Sequence, residues 1–422
     1  MKNYLILYGI VATIFITSCN KNDNTVPPEI ELQNEPPLSF NLVEVPDGTT
    51  NIDIKPTLSW DSAKNPKGSE ITYDLYLDTI LNPSTLLKSG IDANSFQLTE
   101  SLSLLTDYYW KVIATDIIGR KSTSAIFKFT TRYYQFPDQP ITDAADFSPR
   151  SAHTVVSYDE KLWVVAGWNS GQRYNDVWHS SDGINWEQAT STAPFSKRAS
   201  HTSISFDNKL WVIGGSENGV DGLNDAWYTQ DGGVWTPATI NANFPKRASH
   251  SSVVFDDKIW VIGGYDNGSV KTNDVWYSAN GSNWSLATAS APFSERSSHA
   301  SVVFDGKIWV IGGVGNTRKN DVWYSTDGIK WTQVTDDAEF SPRNSHEVVV
   351  FDNKIWLIGG FDGSVSYSDV WYSSNGKDWV EATSTATIEK RSGHSLAVFD
   401  NSIWLVGGQS NGPLKNDVWT ME

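Results

Sequence analysis

Six of the chain's seven histidines stand at His153, His201, His250, His299, His346 and His394, at intervals of 48, 49, 49, 47 and 48 residues. An arginine lies three residues before each: Arg150, Arg198, Arg247, Arg296, Arg343 and Arg391. Imidazoles can ligate a metal and guanidinium groups can bind an anion. The repetition argues against a shared metal centre. One histidine per repeat sets each ring on a separate structural unit, too far from the others for a single ion with bonds of about 2 Å. The arginines could form a ring that attracts an anion. A feature present in every unit reads more economically as architecture, each guanidinium bonding local carbonyls or a neighbouring unit's aspartate. Asp176, Asp225, Asp274, Asp321, Asp369 and Asp417 keep the same period and read as hydrogen bonders at the start of a strand.

Residues that do not repeat are the better candidates for a ligand. Trp168, Arg173, Tyr174, Tyr265, Arg318, Phe361 and Tyr367, with Lys271 nearby, fall in segments that differ from repeat to repeat. Such segments carry function on rigid scaffolds. Aromatic rings among Asn, Ser and Asp suit stacking on sugar faces, with hydrogen bonds to the hydroxyls; the competing reading is that they cover the ends of the units. Glu217 and Glu339 are single carboxyls in or near these segments, where acid–base chemistry would need a matched pair. No nucleophile–base pairing, phosphate loop or metal spacing stands out, so no metal and no cofactor is expected.

These residues need elements to hold them. A period of 40–50 residues containing several short strands marks propeller blades. One repeat runs Arg247-Ala248-Ser249-His250, Val253-Val254-Phe255-Asp256, Lys258-Ile259-Trp260-Val261-Ile262-Gly263-Gly264, then Asn273-Asp274-Val275-Trp276 and Asn280-Gly281-x-x-Trp284. The glycine pair returns at Gly214-Gly215, Gly312-Gly313, Gly359-Gly360 and Gly407-Gly408, with Ala166-Gly167 in the first repeat. Residues 150–422 resemble the kelch repeat, which implies a six-bladed β-propeller of four-stranded antiparallel sheets. Seventeen of the 20 tryptophans fall in register on the second, third and fourth strands, where they read as core between blades. Asp207-Asn208, Asp305-Gly306 and Asp352-Asn353 read as hairpin turns needing positive φ. The Ser181-Asp182-Gly183-x-x-Trp186 segment resembles the Asp box of sialidases, one residue shorter. The last blade ends at Asp417-Val418-Trp419, its third strand. Residues near Tyr134–Thr142 are therefore expected to supply the missing fourth, covering an open edge.

The remainder of the chain sets the address. Met1-Lys2-Asn3, the apolar run from Tyr4 to Ile16 and Thr17-Ser18 read as a secretory signal over residues 1–18, too short to span a bilayer. Ile16-Thr17-Ser18-Cys19 resembles the bacterial lipobox, which implies lipid attachment at Cys19, the only cysteine. Residues 19–37 read as a flexible tether. Residues 38–132 show alternating strands such as Ile71–Leu77 and Tyr108–Ala114, and a tyrosine-corner pattern at Leu102-x-x-x-Thr106-x-Tyr108. With Trp60 they resemble a fibronectin type III domain, which implies a spacer. The propeller is expected over 133–422, so the fold class is all-β: a sandwich followed by a six-bladed propeller. A net charge of −17 over 422 residues argues against nucleic acid. The functional expectation is a lipid-anchored binding protein of the bacterial envelope, at the outer membrane or cell surface, whose loop face takes a glycan or an envelope protein. Copper oxidase chemistry of the galactose-oxidase kind would need a second cysteine. A sugar mutarotase or epimerase, or a purely protein-interacting scaffold, is the alternative.

Overall fold

The computed structural model describes residues 35–421, apart from Lys67, 267–269 and 384–386. The signal segment, Cys19 and most of the tether lie outside the described residues. Every regular element among the described residues is a β-strand. The chain forms two compact units, one ending at Arg132 and one beginning at Tyr133.

The first unit has two sheets. Strands β2 (Thr57–Ser59) and β5 (Ser95–Gln97) pair in one. The other runs β1 (Thr49–Ile52), β8 (Phe127–Thr131), β6 (Asp107–Asp116), β3 (Ile71–Asp78), β4 (Leu86–Ile91), with β7 (Lys121–Thr123) beside β6. Only β1 and β8 run parallel. Alternation along β6 buries Trp110, Val112 and Ala114, which meet Leu58, Trp60, Tyr73, Leu75 and Phe129 in one core. The Tyr108 hydroxyl accepts the Ser103 N–H at 3.1 Å, tying the strand's start to the preceding backbone.

The second unit holds six sheets. In the first, the strands are Thr154–Tyr158, Lys161–Asn169, Gln172–Ser180 and Glu187–Thr190. The next four sheets repeat this order; the sixth has three strands, Ser395–Phe399, Ser402–Gln409 and Leu414–Met421. The first strand of each sheet packs against the first strands of its neighbours, and Ser395–Phe399 packs against Thr154–Tyr158. The sheets therefore form a closed ring of six blades with first strands innermost. Second strands are buried on both faces, as Leu162–Gly167 illustrates, because each sheet is covered by a blade on either side.

The ring is sealed twice. Around its axis, Ala152, Ser200, Ser249, Ser298, Ser345 and Gly393 all adopt left-handed φ of 50° to 60°. Each donates its backbone N–H to the carbonyl of the same residue in the preceding blade, at 2.8–3.0 Å, and Ala152 closes the belt onto Gly393. At the perimeter, Thr142 pairs with Val418, the Val418 N–H reaching the Thr142 carbonyl at 2.9 Å, and the Asn416 amide holds the Ala145 and Phe147 carbonyls. The expected fourth strand is thus a single bridge with flanking bonds, reached from residues near Tyr134–Thr142. Elsewhere a turn glycine of one blade rests on the second-strand indole of the blade before it: a Cβ on Gly232 would collide with the Trp163 ring. The Trp356 ring is covered instead by Tyr134, whose ring stands edge-on at 5.0 Å.

Two tryptophan rows are core, with Trp163, Trp211, Trp260, Trp309, Trp356 and Trp404 on second strands all buried. The third-strand row differs from the expectation. Trp178, Trp227, Trp276, Trp323 and Trp371 are only half-buried, each donating its indole N–H to a polar partner, while Trp419, which donates likewise, is buried with the Phe136 ring edge-on to it.

Candidate functional site

That partner is the repeated aspartate. In the third blade Arg247 makes two parallel bonds to Asp274, at 3.0 and 2.8 Å, and a third to the Gly263 carbonyl at 2.7 Å, while the Trp276 indole donates to Asp274 Oδ2 at 2.6 Å. Burial pushes the Asp274 carboxyl up, but the bond and charge of Arg247 outweigh it and hold the group below its ordinary value. The same Arg–Asp pair occurs in every blade: Arg150–Asp176, Arg198–Asp225, Arg296–Asp321, Arg343–Asp369 and Arg391–Asp417. All six arginines are 0–1 % exposed. They do not form an anion-binding ring, because each guanidinium is spent on a carboxylate of its own blade rather than a neighbouring one. These are locks.

The histidines wedge between blades. A Cβ on Gly167 would collide with His153 of the same blade, and one on Gly407 would touch the His153 ring from the blade before. Burial, reinforced by the adjacent arginine, pushes His153, His201, His299 and His346 down to about 3, and His250 and His394 well below their ordinary value. They are neutral at any ordinary pH. Among the described residues no three His, Cys, Asp or Glu side chains group closely enough to hold a metal.

Just inside the belt lies a central channel of about 230 Å³, lined by the start of each first strand. On one side its walls repeat faithfully. The Thr154, Thr202 and Ser251 hydroxyls meet Nε2 of His201, His250 and His299 at 3.1, 3.2 and 2.9 Å, and also bond Ser203, Ser252 and Ser301. On the other side the same position holds Ala300, Glu347 and Ser395. Ala300 has no hydroxyl, and the Ser395 hydroxyl accepts the Val155 N–H instead. Nε2 of His346, His394 and His153 has no partner, and Nδ1 is without one in all six histidines. Glu347 is the one carboxyl in the channel wall. Burial alone pushes it up to about 8, although the channel still wets part of the side chain.

The loop face, where second strands turn into third strands, carries the non-repeating candidates. Trp168 and Arg173 are cross-strand partners at the tip of the first blade's hairpin. Arg173 leans onto Gly219 of the second blade, and the Tyr265 hydroxyl, from the third, reaches the Gly219 carbonyl at 3.4 Å. Arg318 occupies the equivalent position in the fourth blade. It leans onto Gly363 of the fifth, bonds Asn344 at 2.7 Å through Nε, and lies 5.2 Å from the Phe361 ring centre. The two clusters are therefore related by half a turn of the ring. Arg173 Nε is buried without a partner, and neither arginine has a carboxylate at ion-pair distance among the described residues. Tyr174 and Tyr367 serve otherwise: their rings cap Arg150 at 4.6 Å and Arg343 at 4.2 Å, and the Tyr367 hydroxyl donates to Asp362 at 2.8 Å. Glu217 is exposed, while Glu339 accepts the Trp379 N–H at 3.0 Å.

The KLHDC2/KLHL20/DRC7 Kelch-repeats domain matches this chain over residues 119–264, 180–360 and 227–408, together more than half of its length. The chain belongs to the kelch-repeat family. Among solved structures, that of YjhT is similar, with a TM-score of 0.56 and 16% identity over 66% of this chain and 99% of that one, a likeness of fold. No curated protein matches.

Within this kelch propeller, then, two places are not consumed by architecture: the paired loop clusters and the broken arc of the channel. The repeat pattern pointed to the loops. It missed Glu347, although the signal was present, since the column after the histidine reads Thr, Thr, Ser, Ala, Glu, Ser.

Proposed function

We propose that this kelch protein is a non-catalytic binding module of the bacterial cell envelope, held at the outer membrane or cell surface through a lipid on Cys19, and that its loop face binds a glycan. The carrying observation is the pair of clusters Trp168–Arg173–Tyr265 and Arg318–Phe361, which present rings and guanidinium groups that make no ion pair among the described residues, Asp362 lying near enough to Arg318 to feel its charge. Rings stack on the apolar faces of sugars, and unpaired donors take their hydroxyls or carboxylates. The first unit is read as a fibronectin type III-like spacer. Its strand order and the Ser103–Tyr108 bond support that reading.

A glycan array tests the ligand. Binding lost on Trp168→Ala or Tyr265→Ala, with the melting temperature unchanged, is the expected result. Silence across the array would favour an envelope protein as the partner. Cys19→Ala should release the chain from membranes, and retention would refute the anchor.

Glu347 favours a second reading, a sugar mutarotase or epimerase, because a carboxyl titrating near neutrality can donate or accept a proton. Anomer exchange followed by NMR would show acceleration abolished in Glu347→Gln.

A further inference from the structure

The sixth blade shows what a lysine on its third strand is matched with. Lys415, two residues before the locked Asp417, meets Glu389 Oε2 through Nζ at 2.9 Å, and the Ser410 hydroxyl donates to the same oxygen at 2.6 Å. Glu389 stands two residues before the locked Arg391. Bonds from Ser410 and Lys415, with the charges of Lys415 and Arg391 added, hold its carboxyl below the ordinary value. Among the six blades a lysine takes this third-strand position only in the fourth and sixth, as Lys319 and Lys415; the others have Tyr174, Leu223, Thr272 and Tyr367.

In the fourth blade the carboxylate is missing. Ser294 stands where Glu389 does, and Gly315 where Ser410 does. The space opens as a groove of about 610 Å³ between the third and fourth blades, lined by Ser294, Asn316 and Lys319 and, from the third blade, by Lys271 and Ser290. Lys271 is the cross-strand partner of Tyr265, so the groove adjoins the rings of the loop face. Both lysines are half-buried, and neither has a carboxylate at ion-pair distance among the described residues. Glu295 lines the groove as well, but it is exposed and pairs with neither lysine. The groove thus keeps an excess of positive charge in a chain of net charge −17. Repulsion from distant carboxylates is screened beyond about 8 Å at physiological salt, so the local lysines decide what enters.

We propose that this groove binds a carboxylate of an acidic glycan, which takes on Lys319 the place that Glu389 takes on Lys415. The inference rests on the glycan reading of the loop face and names its substrate class, a chain containing uronic acids. The sugar carboxylate accepts N–H donors from Lys319, and Lys271 supplies a second charge. The Ser290 and Ser294 hydroxyls and the Asn316 amide match ring hydroxyls as donors and acceptors. A groove of this size encloses a small ligand, whereas a bare inorganic anion leaves most of it unfilled. Neighbouring units of the chain extend toward Tyr265.

The test titrates the full chain with oligogalacturonate, alginate oligomers and hyaluronan fragments, each beside its methyl ester, by calorimetry. Binding of at least one acid oligomer, weakened at least about tenfold by esterification, is expected. Lys319→Met should weaken it by a similar factor and Lys271→Met by less; Glu295→Gln should strengthen it, and Lys415→Met should leave it unchanged. Ser294→Glu builds the carboxylate of the sixth blade into the fourth and should abolish binding with the melting temperature undiminished. Equal binding of acid and ester, or acid binding that survives both Lys319→Met and Ser294→Glu, overturns the proposal and leaves the glycan reading standing. Neutral glycans bound through Trp168, with no acid oligomer bound, do the same. A chain that binds no glycan of either kind removes both.

Discussion

The two arcs of the channel are built on the same repeat and have opposite characters. Where the residue after the histidine is Thr154, Thr202 or Ser251, its hydroxyl stitches blade to blade through the next histidine's Nε2. Where it is Ala300, Glu347 or Ser395, the stitching fails and three ring nitrogens and a carboxyl are left over. The arginines divide in the same way. Six are locked to aspartates in every blade, and Arg173 and Arg318 stand apart on loops. In a propeller, constancy marks what holds the ring together, and departures from it mark where a ligand can be taken.

Three measurements can break or sharpen that contrast. The largest effect should come from the locked class. Arg247→Ala leaves the Asp274 carboxylate buried without its partner and is expected to cost about 3–5 kcal/mol in denaturant unfolding of the propeller. A loss under about 1 kcal/mol would show that the Arg–Asp pairs are dispensable. Next is the stitched arc. Thr202→Val removes the hydroxyl shared by His250 and Ser252 and should cost about 1–3 kcal/mol, whereas a neutral result would make the two arcs equivalent.

The smallest effect belongs to the broken arc and has the opposite sign. Unfolded, the Glu347 carboxyl titrates near its ordinary 4.5; folded, near 8. Between those values the folded chain keeps a proton that the unfolded chain has released, so this group's contribution to stability falls as pH rises and levels off above about 8. The groups around it, His346 just before its strand and His394 just before the next blade's first strand, are neutral and cannot reverse the sign. Glu347→Gln should therefore be more stable than the parent by about 1–2 kcal/mol at pH 9, screened by channel solvent, and equal to it at pH 4. Parallel pH profiles for the two proteins would remove Glu347 from its buried setting.

Much of this was legible beforehand. The spacing of His153 through His394 gave the blade count, and Asp207-Asn208 marked a turn whose residues do have φ of 50° and 51°. The blade from which each arginine draws its aspartate was not legible, because that depends on how far the third strand slides past the first. Tyr174 and Tyr367 looked like loop aromatics but cap buried guanidinium groups, a packing role that sequence neighbours do not encode. Glu347 was not legible as a channel residue because only the closed ring turns the residue after each histidine toward the axis.

The bridge from Thr142 to Val418 also has a history in time. During synthesis Thr142 leaves the ribosome before the first blade, and Val418 only with the last strand of the sixth. Until then the nascent sheets form an arc with two raw ends, and Tyr134 waits for Trp356 until the fifth blade is made. Contacts this remote along the chain form late and slowly, so the half-made molecule is exposed to misassociation for most of its making. A chain of this design gains from a holding chaperone until its ring closes.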